Sequence, residues 1–359
     1  MRIGKQVWVS LLCALTACSE PVTAVAVQPE KTTPYPASYE QPAIQQGTVT
    51  EVTYDTRDYV SANGVARQNR LSVYLPYGYS DSKPYNILYL VHGHYGNLST
   101  FLTFSDSLLV HVLDNMIAAG DIDPLIVVTP TYNYGAPTSD YVDADPYCEA
   151  LCSELINDIM PLVESRYNSY ALTADAEGLE ASRTHRAIGG FSMGGVTTWY
   201  ALEHLLPQFK YFLPISGDCW SLGAFAGMNR PAATAQYLAD IINATSYTGT
   251  GFYIWAASGT GDSAYRETLN QIESMAELSD TFSGSNLSFH EKDGARHDYR
   301  PCVEYLYNAL PFFFPPSTDT ALESVSAPEV ANTYNILGQR VSSGYSGIII
   351  QNGQKQLIL

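Results

Sequence analysis

The chain has 359 residues with 36 acidic and 18 basic side chains, a formal net charge of -18. An acidic surface of that size repels nucleic acid and anionic lipid headgroups, so neither is expected as a partner. The central stretch of about 270 residues is long enough for one α/β domain with a full hydrophobic interior.

At the N-terminus, Arg2 and Lys5 precede an apolar run from Val7 to Ala17, and Leu15-Thr16-Ala17-Cys18 has the form of a bacterial lipobox. The run falls short of the about 20 residues that span a bilayer. Residues 1–17 therefore read as a cleaved lipoprotein signal peptide, with Cys18 the lipidated first residue. Losing Arg2 and Lys5 leaves 16 basic against 36 acidic side chains, a mature charge of -20. Residues 18–46 carry Pro21, Pro29, Pro34, Pro36 and Pro42 among polar residues and read as a disordered, Pro-rich tether. Localisation is accordingly expected outside the cytoplasm, lipid-anchored or secreted.

Residues 47–315 alternate strand and helix patterns. Residues 48–56 and 69–75 read as antiparallel strands around Asn63-Gly64. Asn86-Ile87-Leu88-Tyr89-Leu90-Val91 is a continuous apolar run, as expected of a strand buried on both faces, and opens into His92-Gly93-His94-Tyr95-Gly96. A helix over 107–119 and a strand over 125–129 follow. Next comes a tyrosine-dense loop with Tyr132, Tyr134, Tyr141 and Tyr147, expected at the carboxyl edge of the sheet, where α/β folds bind ligands. It reads either as a stacking surface for a planar acyl group or sugar, or as a self-packed surface loop. Helices are expected over 147–167, 194–206, 264–279 and 299–310, with strands before Ser192, Asp218, Asp262 and His297. These elements predict a three-layer α/β fold, a mostly parallel sheet with helices on both faces.

The chemistry centres on Gly190-Phe191-Ser192-Met193-Gly194, between a predicted strand (186–191) and a predicted helix. A serine on such a turn, flanked by glycines that admit close backbone approach, is the nucleophile elbow of α/β-hydrolases. The bare pattern arises by chance in about one chain in ten, so context carries it. Downstream, Ser258-Gly259-Thr260-Gly261-Asp262 ends one strand and Gly294-Ala295-Arg296-His297 follows the last. The order Ser, Asp, His is that of the α/β-hydrolase triad. A serine hydroxyl needs an imidazole to take its proton, and the imidazole needs a carboxylate to fix its tautomer. Ser192 is expected as nucleophile, His297 as general base and acid, and Asp262 as orienting acid, with Asp218 and Asp293 as rivals for the last role. Backbone N–H groups of Met193 and His94 are the expected oxyanion hole.

The chain resembles the feruloyl esterase domains attached to bacterial xylanases, within carbohydrate esterase family 1. The resemblance rests on Leu75-Pro76-Tyr77-Gly78-Tyr79, Tyr89-Leu90-Val91-His92-Gly93, the run from Gly189 to Tyr200 around Ser192, Pro214-Ile215-Ser216-Gly217-Asp218-Cys219-Trp220, Ala257-Ser258-Gly259-Thr260-Gly261-Asp262 and Gly294-Ala295-Arg296-His297. It implies hydrolysis of hydroxycinnamoyl esters of plant cell-wall arabinoxylan and supports the same three residues. It also puts the loop of Asp218 and Trp220 near the nucleophile, where, with Tyr132 and Tyr134, they are expected to bind substrate. The chain departs from the family after the histidine, where Asp298-Tyr299-Arg300 replaces an immediate aromatic. Removal of acetyl groups from xylan, or glycan binding on an inactive scaffold, are the competing functional readings.

Cys148 and Cys152 lie four apart on a predicted helix, too far for an unstrained bridge, whereas Cys219 and Cys302 both flank active-site loops and are expected to pair. No cysteine or histidine cluster has metal-ligand spacing, and no cofactor is expected. Residues 316–332 read as a linker. Residues 333–359 read as a short β-rich tail that resembles the sorting tails of secreted Bacteroidetes proteins.

Overall fold

A computed structural model describes residues 27–133, 137–316, 334–335, 347–351 and 354–358. The expectations for residues 1–17, Cys18, Tyr134 and residues 317–332 fall outside the described residues. The chain divides into two units, Met1–Pro316 and Ser317–Leu359.

In the first unit the elements are β1 (Glu30–Lys31), β2 (Thr48–Arg57), β3 (Ala66–Leu75), β4 (Asn86–Val91), α1 (Thr100–Ala119), β5 (Leu125–Thr129), α2 (Asp145–Glu154), α3 (Met160–Arg166), α4 (Ala176–Ala181), β6 (Arg186–Phe191), α5 (Met193–His204), β7 (Tyr211–Ile215), α6 (Ala226–Asn229), α7 (Pro231–Asn243), β8 (Tyr253–Gly259), α8 (Tyr265–Ala276), β9 (Leu287–Lys292) and α9 (Tyr299–Phe313). Its nine-stranded sheet runs β1-β9-β8-β7-β6-β4-β5-β3-β2. Only the β2–β3 and β3–β5 pairs are antiparallel; the other pairs are parallel. The expected three-layer, mostly parallel α/β architecture is therefore the one observed. In the second unit, β10 (Tyr334–Asn335), β11 (Gly347–Gln351) and β12 (Gln354–Ile358) form an antiparallel three-stranded sheet.

Sequence pattern explains which strands lie where. β4, β5 and β6 are buried along nearly their whole length, as apolar runs covered on both faces must be. The edge strand β2 instead alternates exposed and buried positions over its second half, the period-2 signature of one covered face. Successive side chains of the central strands feed two separate cores. Tyr89, Val91, Ile188, Phe212 and Ile254 pack with α2, α5, α7 and α8, while Leu88, Leu90, Ala187, Leu213 and Trp255 pack with α1 and α9. Helix α1 is not regular throughout. Phe104 leaves helical geometry and Ser105, Asp106 and Ser107 take left-handed φ of 48°, 56° and 65°, so the regular part starts beside the predicted boundary at 107.

A buried ion pair locks the start of β6. Arg186 donates to both carboxylate oxygens of Glu164, at 2.8 and 2.7 Å, and also bonds Ser182 Oγ and the carbonyls of Leu179 and Gln208. Tyr89 and Ser169 hydroxyls donate to the same Glu164, so the charges are well solvated by protein.

Two expectations are corrected here. Residues 27–46 are not a free tether: β1 adds a parallel edge strand to β9, Lys31 pairs with Glu291 and Asp293, and Tyr39 donates to Asp121 at 2.8 Å. Proline content signals weak intrinsic structure, but an open sheet edge and nearby carboxylates supply partners that composition does not reveal. Cys148, Cys152, Cys219 and Cys302 are all free, so the expected Cys219–Cys302 bridge is absent. Cys219 packs into the core on one side of the sheet and Cys302 into the core on the other, with the sheet between them.

Candidate active site

Strand β6 delivers Ser192 to the turn before α5 with φ 56° and ψ -116°, a strained conformation for a residue with a side chain. Its N–H donates to Ile215 O on β7 at 2.9 Å. Two glycines make the turn possible. A Cβ at Gly190 would meet Gly194 O at 2.4 Å, and one at Gly194 would meet Val91 O at 2.1 Å.

Asp262 lies three residues beyond β8 and His297 in the loop after β9. His297 Nδ1 is 2.8 Å from Asp262 Oδ1 and Nε2 is 2.9 Å from Ser192 Oγ. Asp262 is buried and its Oδ1 also accepts from Ala264 N–H at 2.8 Å. The two loops are stitched together by Gly294 N–H to Thr260 Oγ1 at 2.8 Å and Gly261 N–H to Ala295 O at 3.0 Å. Phe191 supports the imidazole, with ring centroids 4.5 Å apart. This arrangement can move a proton off the serine hydroxyl while the carboxylate holds the opposite ring nitrogen. The rival carboxylates are engaged elsewhere: Asp218 accepts from Trp220 Nε1 at 2.6 Å and Met228 N–H at 2.9 Å, and Asp293 pairs with Lys31.

Met193 opens α5, so its N–H belongs to the first turn, which has no intrahelical acceptor. His94 sits in the loop after β4, which is braced from two sides. Both ring nitrogens of His92 are used, on Gly93 O at 2.7 Å and Thr131 Oγ1 at 2.6 Å, and burial pushes its pKa down to about 4, keeping it neutral. Gly93 N–H donates to Tyr299 Oη at 2.8 Å.

A cavity of about 520 Å³ opens over Ser192. Two aromatic groups line it. Tyr141, Trp220 and Phe225 form one, with centroids 4.7 to 6.5 Å apart; Phe104, Phe191 and Tyr299 form the other. Glu267 on α8 also lines it, and burial, followed by the charge of nearby Asp218, pushes its carboxyl up to about 7. Of the expected substrate-binding residues, Asp218 and Trp220 reach the cavity. Tyr132 does not. It is 1% exposed, packed in the core with its ring 4.6 Å from His92, because the chain turns inward directly after β5. Sequence reasoning missed Phe104, Phe225 and Glu267, which sit in stretches without a motif. It noticed Tyr299 only as a departure.

A mostly parallel sheet carrying a serine on the turn from strand to helix defines an α/β-hydrolase. The chain belongs to the Esterase family, whose model matches residues 62–313. Endo-1,4-beta-xylanase Y of Acetivibrio thermocellus is 38% identical over 286 residues, 78% of this chain and 24% of that one. An endo-1,4-beta-xylanase/feruloyl esterase of Xylanibacter ruminicola is 29% identical over 185 residues, 49% of this chain and 22% of that one, so the chain spans about a quarter of these xylanases. Among solved structures, an alanine mutant of the feruloyl esterase module from Clostridium thermocellum, complexed with sinapinate, is 36% identical with a TM-score of 0.67, covering 81% of this chain and 96% of that one. A ferulic acid esterase from Anaeromyces mucronatus, 20% identical with a TM-score of 0.58 and coverage of 79% and 97%, shares the fold.

Proposed function

We propose that this protein hydrolyses feruloyl and related hydroxycinnamoyl esters of plant cell-wall arabinoxylan through an acyl-enzyme on Ser192. The observation that carries the reading is the relay from Ser192 Oγ through His297 to Asp262, at 2.9 and 2.8 Å, beneath an aromatic-lined cavity of about 520 Å³. His297 takes the hydroxyl proton as Oγ attacks the ester carbonyl, and Asp262 stabilises the imidazolium. Met193 and His94 N–H groups hold the carbonyl oxygen as it becomes negative. As the ester C–O bond breaks, the imidazolium gives its proton to the departing sugar oxygen, which leaves as a hydroxyl, and a water activated by the same ring then hydrolyses the acyl-enzyme and releases the acid. Trp220, Tyr141 and Phe225 flank the planar acyl ring. The relatives named for feruloyl esterase activity support the acyl group, and the cavity is far larger than an acetyl group needs.

The reading extends to location: residues 1–17 direct export, Cys18 carries the lipid, and the protein works outside the cytoplasm, supported by the lipobox pattern. Labelled palmitate incorporation that persists in Cys18→Ala would remove the anchor from it. The activity is tested with methyl ferulate and acetylated xylan side by side, with Ser192→Ala as control. Ferulate release by wild type and none by Ser192→Ala is expected; release of acetate alone, or ferulate release without Ser192, would overturn the reading.

A further inference from the structure

His92 and His94 stand two residues apart in one loop, and the protein treats them oppositely. Both nitrogens of His92 are bonded within the fold, whereas neither nitrogen of His94 has a partner, although His94 is only 6% exposed. Other buried side chains among the described residues have an unpartnered polar atom, on Asp114, Tyr132, Glu203, Thr234 and Tyr305. Each has one such atom, and none of those residues lines the cavity above Ser192, which His94 does. A neutral imidazole carries one donor and one acceptor, and leaving them desolvated is costly. Both nitrogens are covered in the closed site, with the rings of Tyr95 and Tyr141 against the imidazole, so a partner reaches them from the cavity when these side chains shift aside.

The surroundings narrow its chemistry. The imidazole meets the ring of Tyr95 at 4.5 Å and 70° and that of Tyr141 at 6.3 Å and 81°, and Tyr141 continues into Trp220 and Phe225. An aromatic-walled cavity with an unsatisfied donor and acceptor just behind its wall matches an aromatic ring that bears oxygen substituents. It matches an acetyl or unsubstituted phenyl group poorly, since either would cover the imidazole without bonding it.

We propose that the His94 side chain, beyond any part its backbone plays, is a specificity-determining residue that hydrogen-bonds the hydroxyl or methoxy oxygen of the acyl ring. The inference rests on the feruloyl esterase reading and adds an oxygen-reading group to it. A site that bonds a substrate hydroxyl discriminates against the analogue lacking it, because its own polar atoms are then stranded.

The test compares kcat/KM on methyl ferulate, methyl p-coumarate and methyl cinnamate, which lacks ring oxygens, for wild type, His94→Ala and His94→Gln. Wild type is expected to prefer the oxygenated esters by about 10-fold or more. In His94→Ala that preference collapses toward unity, whatever common fall in rate the three esters share, and His94→Gln, which keeps a donor and an acceptor, restores part of it. An unchanged preference in His94→Ala, with all three esters falling together, overturns the inference and assigns the side chain a merely structural part. If His94→Ala does not fold, His94→Leu, which keeps the bulk and carries no polar atom, decides: a preference near unity supports the proposal, and one equal to wild type overturns it. Failure of wild type to cleave any of the three esters would instead sink the feruloyl esterase reading itself.

Discussion

Tyr299 accepts a hydrogen bond from Gly93 N–H at 2.8 Å, so the first residue of α9 pins the loop that carries His94. The ring also packs against Phe101 and Phe191, at 5.1 and 4.9 Å between centroids. One side chain thus ties the segment after His297 to the loop opposite Ser192. Tyr299→Phe keeps the packing and strands the Gly93 N–H. It should lower kcat on methyl ferulate about 10-fold with little change in KM, since a small displacement of the loop mis-sets the donor to the developing oxyanion. Steady-state kinetics check this, and an unchanged kcat would show that the loop holds its place without the bond.

Glu267 sets a pH dependence of stability. Its carboxyl is raised from 4.5 to about 7 in the folded protein, chiefly by burial. Between those pH values the unfolded chain has released its proton and the folded chain retains it, so stability falls as pH rises through this window. Glu267→Gln removes the effect. Urea unfolding from pH 4 to 8 should show a flatter profile for the variant and a gain over wild type at pH 8; parallel profiles would refute it.

Arg186 and Glu164 are both almost fully buried and bonded to each other twice. Arg186→Met leaves a carboxylate without its counter-charge and should cost about 3–5 kcal/mol in chemical denaturation. Adding Glu164→Gln should recover part of that loss, because the stranded charge disappears. A double variant less stable than the single one would contradict this account.

Gly194 and Gly120 separate crowding from backbone strain. At Gly194 a methyl group would lie 2.1 Å from Val91 O, so Gly194→Ala should shift the elbow and abolish ester cleavage even in the protein that remains folded. Gly120, the left-handed residue that ends α1 at φ 77°, has open space around it. Gly120→Ala should cost only about 1 kcal/mol and leave kcat/KM untouched. Circular dichroism melts together with turnover distinguish the two.

The parts of the site that were legible from sequence are those that a local pattern forces. Ser192 needs glycines on either side of one turn, and strand-end carboxylate and histidine loops recur in a set order. A place one strand before the histidine's strand favours Asp262 over Asp218, and in the structure Asp262 bonds the imidazole while Asp218 holds Trp220 in the cavity wall. What was illegible depends on neighbours distant in the chain. Tyr132 and Tyr141 belong to one tyrosine-rich loop, yet one is folded under His92 and the other borders the cavity, and nothing in their spacing separates them. The shared position of Cys219 and Cys302 beside active-site loops is blind to which side of the sheet a side chain enters. Residues 27–46 resemble a spacer by composition, and the open edge at β9 with the carboxylates of Glu291, Asp293 and Asp121 explains why they dock.

The four free thiols among the described residues have a practical bearing. Each is buried in one of the two cores, and burial raises its pKa, so little thiolate is available to an oxidant or alkylating reagent while the domain stays closed. The domain therefore holds its fold without a disulfide among these four cysteines. The rate at which these sulfurs become labelled is a clock for how often the domain opens.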